Sequence, residues 1–173
     1  MPAPSHPWLE MDERLCLQLS HAARMHCLRT IFRAVSRLGD GVFWYALMLG
    51  LLAVDGTAAI APVLHMVAAG LAGTILYRWL KAKTSRPRPY RGNRAITRNA
   101  RPLDQFSFPS GDTLHAVAFT TIAIACYPQL AFLLIPFAFL VALSRMVLGL
   151  HYPSDVLAGA AIGAAIAGIS LIF

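Results

Sequence analysis

The sequence predicts an all-α integral membrane protein with about five transmembrane helices and an N-terminal amphipathic interfacial helix. Three observations predict it. Hydrophobic residues make up 57% of the chain and charged residues 13%, a balance far from that of soluble domains. From residue 42 onward the chain is a series of long apolar runs separated by short polar breaks, the pattern of helices in a bilayer. Its 173 residues suit a single domain.

Taken in order, residues 1–9 are proline-rich and read as irregular. The N-terminus has neither the basic start nor the apolar core of a signal peptide, so insertion is expected to rely on internal segments. Residues 10–38 have helical periodicity, with Gln18, Arg29, Arg33, Ser36 and Arg37 on one side and Leu17, Leu28, Ile31 and Val35 opposite. The arginines make a spanning helix costly, so this segment is expected to lie in the interface against anionic lipid heads. Leu38-Gly39-Asp40-Gly41 ends it. Residues 42–173 then form the transmembrane bundle. It begins with a hairpin of helices near 42–54 and 58–80, turned at Asp55-Gly56-Thr57. His65, alone in the second arm, reads as a packed residue.

A polar loop at 81–108 interrupts the pattern with Lys81, Lys83, Arg86, Arg88, Arg91, Arg94, Arg98 and Arg101, together with Pro87, Pro89 and Pro102. Loops of this length inside a compact domain are usually functional. Apolar segments near 109–127, 129–150 and 153–173 follow, with Pro136 expected to kink the middle one. Gly159 and Gly163 in the last are spaced for close helix contact. Cys16, Cys27 and Cys126 form no metal-type pair and read as packing residues. The net charge of +7 comes with no recognisable nucleic-acid module, and suits anionic lipid headgroups as partners. The sequence leaves the oligomeric state open.

The parity of the helices brings the ends at Leu80, Pro109, Leu150 and Pro153 to one membrane face, so three distant segments build one polar site. The first supplies Lys81 and Arg88. The second, Pro109-Ser110-Gly111-Asp112, opens a helix whose N–H groups and Ser110 hydroxyl can hold an anion, with Gly111 allowing close backbone approach. The third runs from Ser144 to Asp155. In it Arg145 ends one helix, His151 lies in the link and Asp155 in the first turn of the next helix. From there the aspartate can turn back and hold one ring nitrogen, leaving the other free to attack. As a link residue, His151 is expected to contribute little packing. Three cations and helix N–H groups around one point suit a phosphoryl group.

These blocks resemble the type-2 phosphatidic acid phosphatase superfamily, whose motifs are K-x6-R-P, P-S-G-H and S-R-x5-H-x3-D. The resemblance covers residues 81–155 directly. It implies a metal-independent membrane phosphatase without cofactors. Such an enzyme acts on lipid phosphates or diphosphates through a phosphohistidine, here at His151, with Asp155 as its partner and Lys81, Arg88, Ser110, Gly111 and Arg145 binding substrate. One position departs from the pattern. Asp112 stands where the family has the histidine thought to protonate the leaving group. Either Asp112 is the acid, or His115 one turn later reaches the site, or acid catalysis is weak. The last matters least for a diphosphate, whose leaving group is already a phosphate, and this favours an isoprenoid diphosphate such as undecaprenyl diphosphate. A lipid phosphotransferase using the same phosphohistidine, or a lapsed member that only binds anionic lipid, are the alternatives. The expected location is a bacterial inner (plasma) membrane. The resemblance places the site on the extracytoplasmic face, whereas the positive-inside rule applied to the loops favours the cytoplasmic one.

Overall fold

The computed structural model describes residues 7–93, 95–96, 98–100 and 104–173. Arg94, Arg101 and Pro102 of the basic loop lie outside the described residues. Among the latter the helices are α1 (Pro7–Ser20), α2 (His26–Arg37), α3 (Phe43–Asp55), α4 (Ile60–Thr84), the single turn α5 (Pro89–Gly92), α6 (Gly111–Cys126), α7 (Ala131–Val147) and α8 (Pro153–Ser170).

Helices α3, α4, α6, α7 and α8 occupy the places of the five apolar runs. By length and composition three segments are able to cross a membrane, 26–84, 128–147 and 153–170, while Gly111–Cys126 is apolar but shorter. Leu49, Val54, Ile75, Phe132, Phe139 and Leu157 point outward and are each more than half exposed, an arrangement that lipid favours and water does not. Inside, Trp44, Met66, Phe119, Ile122, Leu134 and Val141 form the core shared by α3, α4, α6 and α7. His65 packs in the bundle through Nδ1 and the Ser170 hydroxyl, 2.8 Å apart.

The N-terminal region departs from the single interfacial helix expected over 10–38. A 3₁₀ turn at His21–Arg24 and an extended Met25 (ψ 120°) divide it. α1 docks on the polar end of the bundle, with Leu9, Met11 and Leu15 left exposed on its outer side. Asp12 accepts the Ser154 N–H at 2.9 Å and the Arg86 guanidinium at 2.6 Å, and Glu13 accepts the Asn93 side chain at 2.5 Å. These fixed partners draw the helix inward, because its acidic residues find cations and N–H groups there rather than water. Arg33 of α2 likewise donates to the Asn99 carbonyl. Nor does Leu38-Gly39-Asp40-Gly41 end the helix: residues Leu38–Val42 form a π-turn that carries α2 into α3 through a kink at Gly41 (φ 139°).

α6 and α8 cross with almost no space between their backbones. A Cβ added at Gly159 would lie 2.4 Å from the Ser110 carbonyl oxygen, and one at Gly163 would lie 2.3 Å from that of Leu114. Both neighbours are backbone, so they cannot swing away. Gly163→Ala is therefore expected to destabilise the protein by about 1–3 kcal/mol, the usual cost of overpacking. Thermal unfolding in detergent checks this, and an unchanged midpoint would contradict the close crossing.

Candidate active site

The link between α7 and α8 is a tight turn. Arg145 ends α7, its carbonyl accepts the Leu150 and His151 N–H groups at 3.0 and 3.1 Å, and Gly149 takes φ 71°. Pro153 starts α8, with the Asp155 carboxylate reaching back to the Tyr152 N–H at 2.8 Å, a helix-capping contact. His151 is thereby held inward and is 1% exposed. This corrects the expectation that a link residue packs little.

The ring's own partners differ from those expected. Nδ1 donates to the Ser107 carbonyl at 2.7 Å, while the nearer Asp155 oxygen stands 3.7 Å away. Asp155 is committed elsewhere, to the Tyr152 N–H and to Arg86 at 2.8 Å. It acts on the ring through its charge and leaves the direct hydrogen bond to a backbone carbonyl. The result for tautomer is the same, since a donated Nδ1–H puts the lone pair on Nε2. Burial, followed by the nearby Arg88 and Arg145 charges, pushes His151 down to about 4 against the opposing pull of Asp155. The ring therefore stays neutral, the form in which an imidazole carries a free lone pair, from the ordinary value of about 6.5 down to about 4. The stability sign is the reverse. Below about 6.5 the unfolded ring takes up a proton that the folded ring refuses, so its contribution to stability declines as pH falls through that window. Titration of ¹⁵N-labelled histidine by NMR is expected to show one Nδ1–H ring resisting protonation to near pH 4. A ring that titrates near 6.5 contradicts this.

Around Nε2 lie the cations. Arg88, 1% exposed, brings NH1 to 3.2 Å from His151 Nε2 and to 2.8 Å from the Leu150 carbonyl. Its NH2 meets Asp104 at 2.7 Å, and Lys81 Nζ meets the other oxygen of the same carboxylate at 2.5 Å. Burial alone would raise the Asp104 carboxyl, but Lys81 and Arg88 outweigh it and hold it below the usual range. Two buried cations thus converge on two oxygens of one anion, the geometry that also suits phosphate oxygens. Asp104 was not among the residues expected here. It is the single acidic residue between Lys81 and Gly111, and that contrast was the available signal.

Arg145 anchors the other side. Its NH2 meets Asp112 at 2.6 Å, and its NH1 meets Ser36 at 2.5 Å and Asp40 at 3.0 Å. Its Nε is buried with no hydrogen-bond partner among the described residues. Ser36 and Asp40 were likewise unexpected. Ser110 is fully buried, but its N–H donates to the Asp155 carbonyl at 3.0 Å and its hydroxyl pairs with Thr113 at 2.9 Å. Neither group is the ready donor expected of it. The helix still presents the N–H groups of Gly111, Asp112 and Thr113, which have no acceptor within α6. Gly111 lets this turn approach Tyr77, whose ring would be 3.2 Å from an added Cβ.

Of the two acid candidates, Asp112 faces Arg145 and lies within electrostatic reach of His151 and Lys81. His115 is engaged with α4, its Nε2 lying 3.1 Å from the Gly70 carbonyl and 3.2 Å from the Thr74 hydroxyl. Both line a cleft of ≈ 240 Å³ that runs from Asp40 and Asp112 between α3 and α4, with walls including Trp44, Met48, Met66, Val67 and Leu71. Among the described residues, no group of three or more His, Cys, Asp or Glu is placed to hold a metal ion. Arg86, also unexpected, ties the assembly from outside. It bridges Asp12 and Asp155 and lies 4.2 Å over the Tyr152 ring. Cys16 of α1 sits 3.8 Å from the His151 carbonyl, and burial, followed by Asp12 and Asp155, pushes its thiol up to about 12.

Comparison with known proteins meets this geometry from outside. Over 94 residues the chain is 39% identical to the decaprenylphosphoryl-5-phosphoribose phosphatase of two Mycobacterium tuberculosis strains, covering 52% of this chain and 49% of that protein. The chain therefore spans about half the length of the curated relatives it matches. The crystal structure of Aquifex aeolicus LpxE superposes with a TM-score of 0.74 at 28% identity, covering 91% of this chain and 93% of that one. A transmembrane PAP2-type phosphatidylglycerolphosphate phosphatase from Bacillus subtilis gives 0.75 at 22% identity, covering 98% and 87%, a likeness of fold. Residues 60–173 match the profile of the PAP2 superfamily. That span contains Lys81, Arg88, Asp112, Arg145, His151 and Asp155, and the chain belongs to the PAP2 superfamily.

Proposed function

We propose that this protein is a membrane lipid phosphatase that removes a phosphoryl group from a lipid phosphate or diphosphate by way of a phosphohistidine at His151. The observation that carries the reading is the double engagement of Arg88, which touches both the His151 Nε2 and the anion shared with Lys81. A phosphoryl group in the place of that carboxylate would sit against the unprotonated ring nitrogen. Lys81, Arg88, Arg145 and the α6 N–H groups would then balance the charge on its equatorial oxygens. Asp155 and the Ser107 carbonyl hold the ring in the attacking tautomer, and Asp112 faces the leaving group.

The cleft and the relatives support the substrate class proposed here. Its walls are apolar and open from the acidic end of the site between two helices that face lipid, which suits a hydrocarbon chain entering sideways. The mycobacterial relative acts, by its name, on decaprenylphosphoryl-5-phosphoribose, an isoprenoid-carried phosphate. An isoprenoid-linked phosphate or diphosphate, such as undecaprenyl diphosphate, is therefore the proposed substrate. The proposed location is a bacterial plasma membrane with the site on its extracytoplasmic face.

Purified protein given a panel of lipid phosphates is expected to release inorganic phosphate. Activity should persist in excess chelator, because fixed side-chain cations take the charge-balancing role proposed here. Loss of activity on chelation, restored by magnesium, would overturn the metal-independent route. Label transferred to a second lipid rather than released would assign the phosphotransferase reading.

A further inference from the structure

The structure assigns Asp40 a part in this chemistry: we infer that Asp40 and Asp112 share one proton on Arg145, and that this pair is the leaving-group acid. The inference rests on the phosphohistidine route above and names the group that stands in for the family's missing histidine.

The geometry is a single fork holding two anions. Arg145, 1% exposed, presents NH1 to Asp40 at 3.0 Å and NH2 to Asp112 at 2.6 Å, with the two carboxyl side chains only 26% and 13% exposed. The two carboxylates flank the same guanidinium and feel one another's charge. Two ionised carboxylates against one guanidinium leave a net negative charge beside a site that must admit a phosphoryl group. Like charges this close cannot both ionise cheaply, and the favoured state holds one proton in common. Among the described residues, the other titratable or charged groups acting on Asp112 are Lys81 of α4, His115 of α6 and His151 of the link. None of these supplies a second acid. His115 is spent on Gly70 and Thr74, and His151 is the nucleophile.

The backbone is built to deliver Asp40. It lies in the π-turn, a feature that recurs at functional sites, between two glycines with separate tasks. A Cβ at Gly39 would stand 2.7 Å from Val141 of α7, and Gly41 takes φ 139°. Trp44 donates from Nε1 to the Gly39 carbonyl at 3.2 Å and locks the turn. A simple helix end would have needed neither the close approach to α7 nor the continuation into α3.

The steps balance. The His151 Nε2 lone pair forms a bond to phosphorus, the bond from phosphorus to the lipid oxygen breaks, and the shared proton passes to that oxygen. Water then attacks phosphorus, the N–P bond breaks and returns its pair to Nε2, and the proton lost by water restores the Asp40–Asp112 pair. Phosphate leaves with the enzyme back in its starting state.

The test compares Asp40→Asn, Asp112→Asn and the double variant on an alkyl phosphate monoester and on nitrophenyl phosphate, whose leaving group departs unprotonated. Each single variant is expected to lose about 10²–10⁴-fold in kcat on the alkyl ester, the usual worth of general acid catalysis. KM and nitrophenyl turnover should move little. The double variant should be no worse than the weaker single one, because the pair acts as a unit. Equal losses on both substrates would make Asp40 a structural residue, and losses that multiply would overturn the shared proton. Infrared spectroscopy reads the proton without turnover. A protonated-carboxyl stretch that shifts in D₂O is expected at about pH 5 in the unsubstituted protein and in neither single variant. Its absence from the unsubstituted protein, or its survival in Asp40→Asn, would overturn the inference. The band without phosphate release from any substrate would leave the pair standing and defeat the phosphatase reading instead.

Discussion

His151→Gln is expected to lower phosphate release by about 10⁶-fold, the scale seen when a nucleophile is removed from a cooperating set, in a protein that remains folded. The ring lies between a donor and an acceptor, with Arg88 at 3.2 Å from Nε2 and the Ser107 carbonyl at 2.7 Å from Nδ1. Glutamine retains polar atoms for these buried groups but has no nucleophilic nitrogen. Alanine retains none, and an unsatisfied buried group costs about 1–3 kcal/mol. His151→Ala should therefore lose both turnover and stability. Comparing the two variants by phosphate release and by thermal unfolding separates chemistry from folding. Substantial activity in folded His151→Gln would remove the histidine from the proposed role.

Arg145→Met is expected to be the more damaging change to the fold. The guanidinium is 1% exposed and is the cation between Asp40 and Asp112. Removing one partner of a buried ion pair costs about 3–5 kcal/mol, because the remaining charge is left uncompensated. Turnover should also fall, by about 10²–10³-fold for the loss of one preorganised donor to the developing charge. Adding Asp112→Asn to Arg145→Met should recover part of the stability and none of the activity. The check is a detergent melting series with parallel kinetics. Equal stability of Arg145→Met and the unsubstituted protein would show that the two carboxylates do not depend on this cation.

Much of the site was legible because its side chains carry unusual chemistry at fixed spacing. Lys81, Arg88, Arg145 and His151 stand out in an apolar chain, and helix parity places them on one face. The atoms that were missed are of two kinds. Ser107 acts through its carbonyl, which has no signature in the amino-acid code. Asp40, Asp104 and Arg86 act through tertiary pairing: Asp40 read as part of a helix stop, Arg86 as one loop cation among many, and Asp104 drew no reading at all. The same limit applies to the fold. Gly159 and Gly163 announced close helix packing by their spacing. Gly39 and Gly41 read as a terminator, yet they form a π-turn because contact with Val141 outweighs local preference. The break at Met25 was hidden by periodicity that runs through it, and partners on α8 and the basic loop decide where α1 goes.

In the proposed mechanism the Nε2 of His151 becomes phosphorylated. Purified protein mixed with ³²P-labelled lipid phosphate and quenched within a turnover in alkali, where an N–P bond survives, should carry label that acid removes. Peptide mapping should place that label on the segment containing His151, and His151→Gln should carry none. Label on another residue, or rapid phosphate release with no labelled protein at any quench time, would contradict the account.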